Sequence, residues 1–259
     1  MVTVSTFDTM NEAASGLSTG SKYLAGGTIV MRAVNFGDQS FHNMVRVRQP
    51  ERGIANDTLG LRIGAATTMA DVLASRELDF LHPVARSIGG PAIRNMGTVG
   101  GNLFAQNPYG DMAAALLALD AQVVMVNGQV RPIEAFLAER DHTRDLVAAI
   151  SVPRPQPGTF KYAKVSRVKP KGVAVLTISV LLRSGDPRVV YGNMGPTALR
   201  AKAAERALAQ GSNPTAIDAA CAVCTDGLSP AEDALSSAWY RTEVAPVHLR
   251  RLLTNGGLR

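Results

Sequence analysis

Between residues 87 and 104 the chain runs Ser87-Ile88-Gly89-Gly90-Pro91-Ala92-Ile93-Arg94-Asn95-Met96-Gly97-Thr98-Val99-Gly100-Gly101-Asn102-Leu103-Phe104, placing five glycines in the 14 positions from 89 to 102. Each glycine weakens a helix or strand by roughly 0.5–1 kcal/mol relative to alanine. Such density needs a compensating reason, and close approach of the backbone to a ligand supplies one. A shorter loop of the same character, Ala25-Gly26-Gly27-Thr28, lies upstream. Both join backbone amides bared by missing Cβ atoms to a hydroxyl or amide side chain that can donate. Successive exposed N–H groups form an anion-binding nest, and two facing nests can hold both phosphates of a dinucleotide. Either loop alone reads as an ordinary turn; the pair shifts the balance toward a ligand.

The surrounding pattern is mixed α and β. Thr9-Met10-Asn11-Glu12 forms a capping box opening a helix to about Leu17, and Lys22-Tyr23-Leu24 is a short extended run into the first glycine loop. Residues 29–34 then carry helical spacing. Strands are expected over residues 44–47 and 61–65, and Thr68 opens a helix over Val72 and Leu73. Asp111 is expected to cap an apolar helix over 112–119, and residues 123–126 to meet Val130 across a two-residue Asn127-Gly128 hairpin turn. The run Pro153-Arg154-Pro155-Gln156-Pro157-Gly158 stops regular structure. It marks a boundary between a first domain, 1–155, and a second, 156–259, of strands (162–165, 173–182, 189–193) followed by helices (198–210, 214–222, 234–253).

Other motifs exclude more than they assign. Gly16-Leu17-Ser18-Thr19-Gly20 matches a nucleophile elbow, but a helix precedes it and a strand follows, the reverse of what that turn requires. P-loop and Rossmann patterns are absent. Cys221-Ala222-Val223-Cys224 has metal-pair spacing, yet the chain holds no other cysteine, so buried small residues are the better account and no metal site is expected. The net charge of +6, from 27 basic and 21 acidic residues, suits a phosphate-bearing ligand, nucleic acid or an acidic partner without choosing among them. Lys161, Lys164, Arg167, Lys169 and Lys171 form a basic run that reads as a solvated hairpin, a nucleic-acid strip, or cations facing a ligand or subunit. Two cysteines and no export or membrane signal point to the cytoplasm and to no membrane span.

The chain resembles the FAD-binding (medium) subunit of molybdenum hydroxylases, of the xanthine dehydrogenase and carbon monoxide dehydrogenase type. The resemblance rests on Leu24-Ala25-Gly26-Gly27-Thr28, on residues 88–102, on 111–120 and on Tyr162-Ala163-Lys164, and covers nearly the whole sequence. It implies an α+β fold: a two-lobed FAD-binding domain of the vanillyl-alcohol oxidase type, then a small α+β C-terminal domain of the CO dehydrogenase flavoprotein type. By the same resemblance, Leu24, Ala25, Gly26, Gly27, Thr28 and Ile29 wrap the FAD pyrophosphate on one side, and Thr98, Val99, Gly100, Gly101 and Asn102 on the other. Asp111 holds the cofactor, Ile88 and Val147 flank the adenine, and Lys164 stands near the flavin. Ile29 departs from the family, whose members commonly carry a polar or acidic residue there.

What the resemblance implies for function is electron relay. FAD takes electrons from a small 2Fe-2S subunit and passes them to an external acceptor. A large molybdopterin subunit carries the molybdenum cofactor and hydroxylates the substrate, in a dimer of heterotrimers, with no catalytic residue and no nucleic acid on this chain. The competing readings are a stand-alone flavin-dependent oxidoreductase, which would turn over alone, and a non-enzymatic anion- or nucleic-acid-binding protein, whose binding would fall steeply with salt.

Overall fold

The computed structural model describes residues 2–168 and 172–255. The first lobe is a small parallel sheet in the order β1-β3-β2, formed by β1 (Thr3–Phe7), β2 (Ser21–Tyr23) and β3 (Asn43–Val47). Helix α1 (Met10–Ser15) starts with the expected capping box: the Thr9 hydroxyl accepts from the Glu12 amide, and the Glu12 carboxylate accepts from the Thr9 amide. Leu24 closes the lobe, its amide donating to the Val45 carbonyl at 2.8 Å, and the chain then enters the first glycine loop and α2 (Val30–Asn35).

The second lobe is an antiparallel five-stranded sheet in the order β4-β5-β8-β6-β7. Its strands are β4 (Ile54–Asn56), β5 (Leu61–Gly64), β6 (Gln122–Met125), β7 (Val130–Pro132) and β8 (Val147–Val152). A second capping box, Thr68 with Asp71, opens α3 (Met69–Ala74). The β6–β7 connection corrects the sequence expectation. The Met125 amide donates to Gln129 O, so the loop has three residues, Val126, Asn127 and Gly128. Only Gly128 takes a positive φ, +86°, whereas a two-residue type I′ turn would need one at Asn127 as well.

Between β5 and β6 run α4 (His82–Ser87), α5 (Pro91–Met96), α6 (Val99–Leu103), α7 (Asp111–Ala118) and, after β7, α8 (Ile133–Glu139). The glycine-dense stretch is therefore not loop throughout: Gly100 and Gly101 lie inside α6. Every residue of α7 is buried. Its small side chains, Ala113, Ala114, Ala115 and Ala118, let neighbours approach closely, while Met112, Leu116 and Leu117 each gain about 1.5–3 kcal/mol from burial.

The neighbours of α7 include the second domain's antiparallel sheet, ordered β12-β11-β10-β9. It is built from β9 (Phe160–Val165), β10 (Leu176–Leu181), β11 (Arg188–Gly192) and β12 (Leu199–Arg200). One face, with Ala163, Leu176, Ile178 and Val180, packs under α9 (Lys202–Leu208), α10 (Pro214–Ala222) and α11 (Ala238–Asn255). The other face sends Phe160, Tyr162, Leu181 and Val190 into the same cluster as α7 and the five-stranded sheet. The sheet is thus covered on both sides, once by its own helices and once by the first domain.

Candidate functional site

The two glycine loops meet. A Cβ on Gly26 would overlap the Met96 carbonyl, and a Cβ on Gly101 would come within 3.8 Å of Ala25 Cβ. Gly97 and the Thr28 hydroxyl face each other at 3.6 Å by the same measure. Gly27 has φ +74°, a conformation costly for any residue with a side chain. Among the described contacts no protein acceptor takes the amide protons of Ala25, Gly26, Gly27, Thr28 or Ile29. Five consecutive unpaired amides on a chain pressed against a second loop form a nest suited to a diphosphate. This cradle fits the pyrophosphate of FAD.

The second loop differs from its expected character. Its amides are used inside the protein: Val99 donates to Thr67 O at 2.9 Å, Gly100 to Ala65 O at 2.9 Å, Gly101 to the Thr98 hydroxyl at 3.1 Å and Asn102 to Thr98 O at 3.0 Å. Thr98 alone keeps an unaccepted amide among the described contacts, and its hydroxyl, accepting from Gly101, retains a proton to donate. Gly100 is required by packing, since its Cβ would stand 2.7 Å from Ala65 Cβ. Asn102 is a tie between helices, its Nδ2 donating to Tyr109 O at 3.0 Å and its Oδ1 accepting from the Met112 amide at 2.9 Å. The expectation of two equivalent nests therefore gives way to one nest, in residues 25–29, and a rigid wall opposite it.

Asp111 and Lys164 form one feature. Asp111 is the first residue of α7 rather than its cap, a place taken by Gly110. Its carboxylate accepts from Lys164 Nζ at 2.7 Å, with both side chains nearly buried, and the same ammonium donates to Ser87 O at 3.0 Å. Burial pushes the Asp111 carboxyl above its ordinary value, and the Lys164 charge works against that. Two residues before Lys164, the Tyr162 hydroxyl lies 2.9 Å from Ser87 Oγ. Burial, then the Asp111 charge, holds the Tyr162 phenol well above its ordinary 10. Ile88 and Val147 are buried in the central apolar cluster.

Beside Asp111, between α7 and the second domain's sheet, is a chamber of about 10 Å³, room for roughly one water. Arg140 reaches into it, almost wholly buried, its guanidinium donating to Leu103 O at 2.7 Å and its pKa pulled down by burial. The Thr177 and Thr197 hydroxyls on its wall have no protein partner. Arg140 lies in no motif, and although Ser87 and Tyr162 stand within segments the sequence singled out, neither was assigned a role there; the tertiary fold brings all three to Asp111.

Two described members of the basic run are engaged inside the protein. Lys161 donates to Leu253 O on α11 at 3.1 Å and Lys164 faces Asp111, while Lys169 and Lys171 lie outside the described residues. Cys221 and Cys224 are buried free thiols, and burial pushes the Cys224 thiol up to about 11. Among the described residues no group of three or more His, Cys, Asp or Glu side chains can hold a metal, and no helix is long and apolar enough to cross a membrane.

Residues 1–155 match the family model of the FAD binding domain in molybdopterin dehydrogenase, and residues 162–255 that of the CO dehydrogenase flavoprotein C-terminal domain. The chain is 28% identical over 260 residues to the carbon monoxide dehydrogenase medium chain of Hydrogenophaga pseudoflava, covering 92% of this chain and 89% of that one. It is 30% identical to the xanthine dehydrogenase FAD-binding subunit of Escherichia coli O157:H7, over 72% of this chain and 71% of that one. The solved carbon monoxide dehydrogenase of H. pseudoflava superposes with TM-score 0.86 at 27% identity, covering 96% of this chain and 95% of that one. Quinoline 2-oxidoreductase from Pseudomonas putida shares the fold at TM-score 0.85 and 19% identity, covering 98% of this chain and 95% of that one.

Proposed function

Because the chain belongs to the family of FAD-binding subunits of molybdopterin dehydrogenases, we propose that it binds FAD between its glycine loops and relays electrons. In this reading the electrons come from an iron–sulfur subunit and leave to an external acceptor, while a molybdopterin subunit transforms the substrate. The observation that carries it is the row of five unpaired amides at residues 25–29, set against residues 96–101.

FAD, when bound, supplies a centre that accepts and releases electrons singly or in pairs. The chain's own residues bind and orient it. The amides of 25–29 and the Thr28 and Thr98 hydroxyls hold the diphosphate, and the wall of Gly97 and Gly101 sets the width of the cleft. The Asp111–Lys164 pair gives the site a carboxylate and a cation at one point, suited to a ribose or ring polar group together with nearby negative charge. With Val99, Gly100, Gly101 and Asn102 engaged inside the protein, they act as support and Thr98 as the donor. Ile88 and Val147 belong to this reading as apolar neighbours of the adenine, reached from the central cluster.

The test is to purify the chain, saturate it with FAD, remove the unbound fraction and identify the flavin released on denaturation. Stoichiometric FAD is expected, with co-purification of molybdenum and iron–sulfur subunits from the native source. A folded chain that keeps no flavin, alone or with those partners, overturns the reading.

A further inference from the structure

The segment that faces the first glycine loop is tied at its far end by the Met69 amide donating to Gly97 O at 3.0 Å, at its start by the buried Ile88, and just before that by Ser87, where the second domain reaches it. Ser87 ends α4; after it come Ile88, Gly89 at φ +52°, and α5, whose last residue Met96 presents its carbonyl to Gly26. Strand β9 of the second domain grips Ser87 twice from one face. Lys164 Nζ donates to its carbonyl at 3.0 Å, and the Tyr162 hydroxyl meets its Oγ at 2.9 Å. Ser87 Oγ also donates to Val84 O at 2.7 Å. That bond uses the only serine hydroxyl proton, so Tyr162 is the donor to Ser87. With its pKa far above neutrality the phenol keeps the proton it needs.

We propose that Tyr162 is a positioning residue for the flavin site: through Ser87 its hydroxyl fixes both the Lys164 ammonium and the start of the segment that walls the FAD cleft. The inference rests on the reading that FAD lies between the glycine loops. Two prongs on adjacent same-face positions of one strand fix a residue's orientation as well as its place, which a single bond does not. Removing the phenol hydroxyl leaves Lys164 as the second domain's single bond to Ser87, with the serine hydroxyl bonded only within its own helix. The start of residues 88–97 then loses its fixed orientation relative to the nest at 25–29, and the Lys164 ammonium, still paired with Asp111, loses the fixed position of its second acceptor.

Tyr162→Phe and Ser87→Ala in the full chain test this, with Glu134→Gln as control. Glu134 pairs with Arg200 and Lys202 across the same domain boundary, away from Ser87. FAD affinity by fluorescence titration, the shape of the visible flavin bands and the flavin midpoint potential are measured, beside the melting temperature. Tyr162→Phe is expected to weaken FAD binding by about tenfold, the size of one lost buried hydrogen bond, and to alter bands and potential. Ser87→Ala does the same, the double variant loses little more, and Glu134→Gln matches the wild type. A wild type that binds FAD while Tyr162→Phe and Ser87→Ala keep its affinity, bands and potential overturns the inference alone. So does a loss of melting temperature in both with the flavin properties unmoved. A wild type that takes no FAD overturns the underlying reading and the inference with it.

Discussion

At the scale of single residues, the buried Asp111–Lys164 pair is held more by the cost of breaking it than by its net gain. Lys164→Met strands a carboxylate in apolar surroundings and is expected to cost about 3–5 kcal/mol, whereas adding Asp111→Asn restores most of that; a double-mutant cycle by denaturant unfolding measures both. The pH dependence has a definite sign. Burial raises the Asp111 carboxyl above 3.8 in the folded state, and Lys164 opposes this. Without Lys164 the folded chain binds the proton more tightly than the unfolded chain, so the variant loses stability as pH rises from about 4 through the raised folded value. Gly101→Val brings branched carbons toward Ala25 and the Thr98 hydroxyl and is expected to abolish FAD retention, while Cys221→Ala leaves it unchanged; visible spectra after gel filtration check both. The glycine density pointed to close backbone approach, and the structure shows such an approach between Gly26 and the Met96 carbonyl and a positive φ at Gly27. Gly100 was legible as special but for a different reason, because its acceptor and its steric neighbour are both Ala65, far away in sequence.

At the scale of elements, what was written locally was readable. The capping boxes at Thr9 and Thr68 involve residues three apart, and α10 spans Pro214–Ala222 as its apolar spacing and leading proline predict. Elements defined by distant partners were not: β1 exists because it pairs in parallel with β3, and β12 because it pairs with β11 at the start of what reads as helix. Helix α11 carries a further test. Arg241 is buried, bonded to Val175 O and Ser236 O and paired with Asp233 at 2.8 Å. Burial alone would raise the Asp233 carboxyl, but the Leu235 amide, Arg241 and the Ser236 amide hold it below 3.8. A carboxyl lowered on folding stabilises above its unfolded value and stops doing so as pH falls through the folded one. Asp233→Asn should therefore lower the melting temperature at pH 7 by a few degrees, and calorimetry should show the gap closing below about pH 4.

For the whole molecule, α7 joins the two domains. It is buried on every side, partly by the five-stranded lobe's helices and partly by β10 and β11. The sheet's first-domain face also carries Thr177 and Ser179, polar and buried. The sequence marked a proline-rich break after residue 152 but gave no sign that the pieces on either side share one apolar cluster, since that follows only from which face of β9–β11 turns toward α7. A chain ending at residue 155 is expected to aggregate rather than bind FAD, checked by light scattering beside the full chain.

That shared helix also sets a schedule for synthesis. Ribosomes deliver residues in order, and the strands that cover α7 emerge roughly seventy residues after it, which at about 5–20 residues per second amounts to several seconds. Throughout that interval the nascent first domain displays the side of this alanine-, leucine- and methionine-rich helix that its own helices do not cover. Its maturation therefore waits on translation of the second, and the interval is when a chaperone has most to protect.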